Sequence, residues 1–142
     1  MTDAGSEPPI LIASPDEQVR EVLARLVEAS GLETVRLDPA VDIPDAVVAT
    51  IAAGLVLDMG ASNQSVLEAI RRRTETTAAN VRVIVIGSGP AGGRLALQAG
   101  ADGFLVRPFR ATDLQAAVTD ALGRSEAGRQ SWRAATSAAL ES

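Results

Sequence analysis

Cysteine, histidine, lysine and tyrosine are all missing from this chain of 142 residues. Without cysteine there is no disulfide and no thiolate chemistry, and without histidine there is no Ser-His-Asp triad and almost no zinc site. The basic residues are all arginine, so neither a Schiff base nor the lysine of a phosphate-binding loop can be formed. Aromatic residues are scarce at 2%, which leaves the core to Val, Ile, Leu and Ala. No apolar run approaches the roughly 18 residues of a membrane span, and the polar, acidic start Met1-Thr2-Asp3 is unlike a secretory signal. The compartment expected is the cytoplasm, with no membrane partner. A net charge of −5 argues against a nucleic-acid footprint, which needs clustered cations.

What remains is a regular alternation of short apolar runs and helical patterns. Residues 1–8 are expected to be disordered. Ile10-Leu11-Ile12-Ala13 reads as a strand buried on both faces. Ser14 then reads as an N-cap, with Pro15 in the first turn and Glu17 closing a capping box. Val19, Val22, Leu23, Leu26 and Val27 follow at helical spacing, up to Gly31. Glu33 to Leu37 gives a second strand. Asp42 caps a helix with Ile43, Val47 and Ile51 on one stripe, ended by Gly54.

Leu55-Val56-Leu57 is a third strand, finishing at Asp58. Ser62 or Asn63 opens a helix carrying Val66, Leu67 and Ile70, which ends in Arg71-Arg72-Arg73 as a solvated helix terminus. Val81 to Ile86 is the fourth strand, and Leu95, Ala96 and Ala99 mark a helix stopped by Gly100. Phe104-Leu105-Val106 is the fifth strand, before a helix capped by Thr112 and bearing Leu114, Val118 and Ala121. Five such units imply an α/β fold with five helices, a doubly wound parallel sheet of flavodoxin-like order 2-1-3-4-5 over residues 9–123. Residues 124–142 form an appendage, either a frayed tail or an extra amphipathic helix with Trp132, Ala135, Ala139 and Leu140 packed on the domain or on a partner.

In such a sheet, ligands sit at the carboxyl ends of the strands. Those ends hold Ser14-Pro15-Asp16, Asp58, Gly87-Ser88 and Arg107, a set able to hold an anion or a phosphoryl group. Each residue has a plainer reading too. Asp58 can cap a helix, Asp16 can complement a helix dipole, Ser88 can serve a turn, Arg107 can face solvent and Phe104 can simply pack. The run Gly87-Ser88-Gly89-Pro90-Ala91-Gly92-Gly93 suggests a phosphate cradle, but it lacks the spacing of a dinucleotide fingerprint.

The segment Gly100-Ala101-Asp102-Gly103-Phe104-Leu105-Val106-Arg107-Pro108-Phe109 closely resembles the G-A-x-G-[YF]-x-x-K-P-F run of the receiver domains of bacterial response regulators. Ile10-Leu11-Ile12 and Leu55-Val56-Leu57-Asp58 resemble the strands that carry that family's acids. The resemblance implies that Asp58 is the position accepting a phosphoryl group from a histidine kinase. It also implies two acids after strand 1 that hold Mg²⁺, a hydroxyl after strand 4, a Lys after strand 5 joined to proline by a cis bond, and Phe104 as the switch position. The switch reports to a face of helix 4, strand 5 and helix 5, which binds a protein partner or a second copy.

The chain departs from that pattern at most of these places. Ser14 and Pro15 stand where the acid pair should be, Gly87 where the hydroxyl should be with Ser88 beside it, and Arg107 where the Lys should be. Mg²⁺ prefers octahedral oxygens, usually including one or two carboxylates, and Arg is not a plain substitute for Lys. With Asp16 and Asp58 as weak candidates, no metal is expected, and Mg²⁺ enters only if phosphorylation proceeds. Arg107 is expected to pair directly with Asp58. Three functions follow: an atypical, degenerate receiver acting as a non-enzymatic protein-interaction module, a working response regulator phosphorylated at Asp58, or a small-molecule or nucleotide sensor, or an unrelated enzyme, on the same fold.

Overall fold

The central strands of the sheet are short apolar runs between turn signals, as for a parallel sheet buried on both faces, whereas the edge segment Thr34-Val35-Arg36 is mostly exposed. The computed structural model describes residues 7–141. It holds β1 (Ile10–Ala13), β2 (Thr34–Arg36), β3 (Gly54–Leu57), β4 (Arg82–Gly87) and β5 (Gly103–Val106). These pair in parallel in the order β2-β1-β3-β4-β5. The register is continuous, with Ile12 opposite Val56 and Val56 opposite Ile84.

Alternate side chains feed two cores. Leu11, Leu55, Leu57, Val83 and Val85 pack on one face with Val47, Leu67, Ile70 and Ala96. Ile10, Ile12, Val56, Ile84 and Ile86 pack on the other with Leu23, Val27, Leu114 and Val118. The helices that supply these partners are α1 (Glu17–Glu28), α2 (Ile43–Thr50), α3 (Asn63–Arg72), α5 (Ala91–Ala99) and α6 (Ala111–Leu122).

Two further helices raise the expected five to seven among the described residues. α4 (Thr76–Asn80) is one turn between α3 and β4. Its sequence Thr-Thr-Ala-Ala-Asn buries only Ala78, too little for a periodic signal. α7 (Glu126–Glu141) is the C-terminal appendage. Because of α4, the face expected of helices 4 and 5 with strand 5 is here α5–β5–α6. None of the described helices is long and apolar enough to cross a membrane. The segment 1–8 expected to be disordered falls almost wholly outside the described residues.

Several helix boundaries differ from the sequence reading. α1 is capped by Asp16, whose side chain accepts from the N–H groups of Gln18 and Val19, and not by Ser14. Ser14 is buried at the end of β1, and its hydroxyl accepts from the Asp16 N–H at 3.3 Å. A carboxylate is the stronger acceptor for a helix N-terminus, which favours Asp16. α6 starts after Arg110 and not at Thr112, with the Asp113 carboxylate accepting from the Arg110 N–H at 3.0 Å. α2 stops at Thr50, with Ile51 left-handed at φ 52°, and Gly54 belongs to β3.

Candidate functional site

The carboxyl ends of β1, β3, β4 and β5 bring the candidate residues to one edge of the sheet. Asp58 follows β3 directly, and its N–H donates to the Ala13 carbonyl at 2.9 Å, continuing the β1–β3 ladder. The residue there is 7% exposed. Arg107 follows β5, and its N–H donates to the Gly87 carbonyl at 3.1 Å. The two side chains meet. Nη1 of Arg107 donates to Oδ1 of Asp58 at 2.9 Å, and Nη2 donates to Oδ2. Both carboxylate oxygens are therefore held by one guanidinium in a two-pronged, charge-assisted pair. The hydrogen bonds to Asp58 raise the Arg107 pKa above its ordinary value. The Arg107–Pro108 bond is cis.

Asp16 is not drawn into this pair. It is exposed and engaged as the cap of α1. Pro15 is exposed beside it and brings no donor. Among the described residues no group of three or more acidic side chains could hold a metal ion. Both oxygens of the Asp58 carboxylate accept from Arg107, so a Mg²⁺ ion binding through this carboxylate would compete with the guanidinium.

Gly87 and Ser88 line the wall of a cleft between α3 and α5 of about 530 Å³. Ser88 is exposed. Asp58 and Arg107 lie along the same cleft, whose apolar lining includes Leu67, Val85 and Phe104. The Phe104 ring lies in a bed of glycines. A Cβ added at Gly93 would stand 2.9 Å from the ring, and one at Gly87 3.1 Å. Glycine at these positions makes the close approach available to the ring.

The sequence reading missed the part played by Asn63, which it took as a helix opener. Asn63 is buried, accepts from the Met59 N–H at 2.7 Å and donates to the Ile86 carbonyl at 3.0 Å. It thus ties the loop after Asp58 to the end of β4. Its place among polar residues at the start of a helix gave no hint of burial. Arg71 also departs from its expected role as a solvated helix end: it donates to the Gly100 and Ala78 carbonyls and to Asp102. Burial pulls its pKa down to about 10, against the attraction of Asp102.

No family model matches the chain. The chain is 35% identical over 126 residues to the transcriptional regulatory protein FixJ of Azorhizobium caulinodans, covering 86% of this chain and 59% of FixJ. It spans about three fifths of the length of that relative. Among solved structures it is similar to a response regulator receiver protein of Burkholderia phymatum, with 25% identity, a TM-score of 0.65 and coverage of 84% of this chain and 98% of the other. A signal receiver domain of a response regulator from Bermanella marisrubri shares the fold, at 19% identity and a TM-score of 0.69, over 81% of this chain and 98% of the other.

Proposed function

Because this chain is a receiver domain of the response-regulator family, we propose that it works as a non-enzymatic protein-interaction module of two-component signalling, with slow or absent phosphorylation at Asp58. The observation that carries this reading is the two-pronged pair of Arg107 and Asp58. Phosphoryl transfer to a carboxylate brings two anions together, so its catalysis rests on positioning and on neutralising charge. An acceptor oxygen must also be free to attack. Here both oxygens accept from a guanidinium, and Arg107 satisfies Asp58 before any phosphodonor arrives.

The same pair offers a substitute for the signal. A guanidinium holds the loop after β5 against the loop after β3 through a fixed planar fork. Phe104, at the switch position, is seated on Gly87 and Gly93. The α5–β5–α6 face is then presented without phosphorylation, to another protein or to a second copy of this chain. The protein acts in the cytoplasm, and neither nucleic acid nor membrane is its direct partner. The site residues of this reading are Asp58 as the inherited acceptor position, Arg107 as its permanent partner, and Gly87 and Ser88 at the anion-facing wall. Asp16 stays a helix cap, and no resident Mg²⁺ is required.

The test is incubation with acetyl phosphate and Mg²⁺, read by intact mass on the wild type and on Asp58→Asn. This reading expects no phosphoryl increment on either protein within the time a competent receiver is fully modified. An increment on the wild type that Asp58→Asn abolishes would establish the other reading, a working regulator that accepts phosphate from a histidine kinase.

A further inference from the structure

Away from the Asp58 site, the least accessible carboxylate outside it is surrounded by guanidinium groups. Asp102 is 1% exposed. Its Oδ1 accepts from Arg129 Nε at 2.8 Å and from Arg133 Nη2 at 3.1 Å. Its Oδ2 accepts from Arg71 Nη2 at 2.9 Å and from the Val83 N–H at 3.0 Å. Two of these three arginines come from α7. The same two side chains also reach backbone carbonyls, that of Gly100 shared with Arg71. Arg129 donates to Ala79 at 3.0 Å, and Arg133 to Ala101 at 2.9 Å and Gly100 at 2.8 Å.

α7 lies antiparallel to α5. Arg133 meets the turn after the end of α5, while the Leu140 carbonyl accepts from Arg94 near its start, at 3.3 Å. The stripe turned to the domain is Arg129, Trp132, Arg133, Thr136 and Ser137. It is polar apart from Trp132, which is only half-buried and carries Arg124 over its ring at 4.4 Å. A helix integral to a domain buries an apolar stripe. This one is held in large part by directed charge and hydrogen bonds. Chemically it resembles a bound ligand.

We propose that the hollow formed by Asp102, the carbonyls of Ala79, Gly100 and Ala101, and the outer side of α5 is a recognition site for an arginine-bearing amphipathic helix, occupied in cis by α7. Charge complementarity defines the occupant. It carries two arginines one turn apart that share a buried carboxylate, and an aromatic residue just before the second. The site is separate from the Asp58 chemistry and stands whether or not Asp58 is phosphorylated. It flanks the α5–β5–α6 face, so a partner helix of the same chemistry would displace α7 and alter that face.

Hydrogen exchange on the unmodified full chain is the first test. A seated ligand opens locally, so α7 amides should exchange about tenfold or more faster than those of β3 and β4. Exchange of α7 together with the strands in one unit would overturn the proposal. The second test uses the full chain with Arg129→Gln and Arg133→Gln, in which the site is open, titrated with a labelled peptide of residues 124–142. Saturable binding of the native peptide is expected, weakened about tenfold or more when the peptide carries the same two substitutions. Equal binding of both peptides would overturn the proposal. Should the substituted chain fail to fold, the exchange pattern of the unmodified protein decides alone.

Discussion

Arg107 and Asp58 face each other fork to fork across the ends of β5 and β3, with the carboxylate nearly buried and the guanidinium partly open to solvent. The asymmetry matters. Asp58 is held at the sheet end by its backbone bond to Ala13, whereas the Arg107 side chain is 42% exposed. The arginine therefore completes the site from outside, and the acid depends on it more than the reverse.

Removing the guanidinium should therefore cost more than a surface ion pair would. Arg107→Ala leaves a nearly buried carboxylate without its charged partner and is expected to lower stability by about 1–2 kcal/mol, discounted for the solvent that reaches the arginine. Arg107→Lys restores the charge as a point charge without the planar fork and should recover about half of that loss. Urea denaturation of the three proteins measures both differences. A change within error for Arg107→Ala would mean that solvent already satisfies Asp58.

The glycine bed under Phe104 makes a prediction in which neighbouring substitutions differ in sign. A Cβ at Gly92 meets the ring at an ordinary 3.5 Å, so Gly92→Ala should stabilise α5 by about 0.5 kcal/mol through helix propensity. A Cβ at Gly93 falls 2.9 Å from the ring, and Gly93→Ala should lower stability by about 1 kcal/mol as the ring is pushed aside. In a Phe104→Ala background the penalty at Gly93 should vanish. A double-mutant cycle read by thermal unfolding checks this.

What could be read from the sequence followed from local pattern. Apart from the edge segment Thr34-Val35-Arg36, the strands are mostly apolar runs ending at turn residues, so their order and the gathering of Asp58, Gly87 and Arg107 at one edge were within reach. The cap of α1 was harder, because Ser14 and Asp16 both fit the local rules and only burial of Ser14 separates them. Asp102 was beyond reach. Its arginine partners lie 27 and 31 residues away, and no periodicity announces a contact of that kind. Thr76–Asn80 failed for the opposite reason: one buried alanine per turn leaves no pattern to find.

Ile51 marks a place where the chain is not at its stability optimum. Expected on an apolar helix stripe, it is 65% exposed and left-handed at φ 52°, ending α2 where glycine is the usual residue. A β-branched side chain in that conformation costs about 1–2 kcal/mol, and little burial offsets it. Ile51→Gly should therefore raise stability by about 1 kcal/mol, measured by urea or thermal unfolding. A loss of stability would show that contacts of the Ile51 side chain outweigh its backbone strain.

The last prediction concerns acid. Arg36 on the edge strand β2 donates to Glu21 at 2.7 Å and to Glu28 at 2.8 Å, both on α1, and Arg25 donates to Glu21 at 2.7 Å. Hydrogen bonds from Arg36, then from Arg25, hold the Glu21 carboxyl down at about 2, and Arg36 with Thr34 lowers Glu28 as well. A carboxyl depressed in the folded state binds its proton more readily when unfolded, so the stabilisation is complete above the ordinary glutamate range of about 4.5. It fades as the pH falls from there toward 2. Wild type should thus lose more thermal stability across that window than Arg36→Gln, which keeps only the Arg25–Glu21 part of the network. Because the groups are exposed, about 0.5 M salt should shrink the difference between the two proteins. Parallel pH profiles for wild type and Arg36→Gln would show that β2 is held to α1 without these charges.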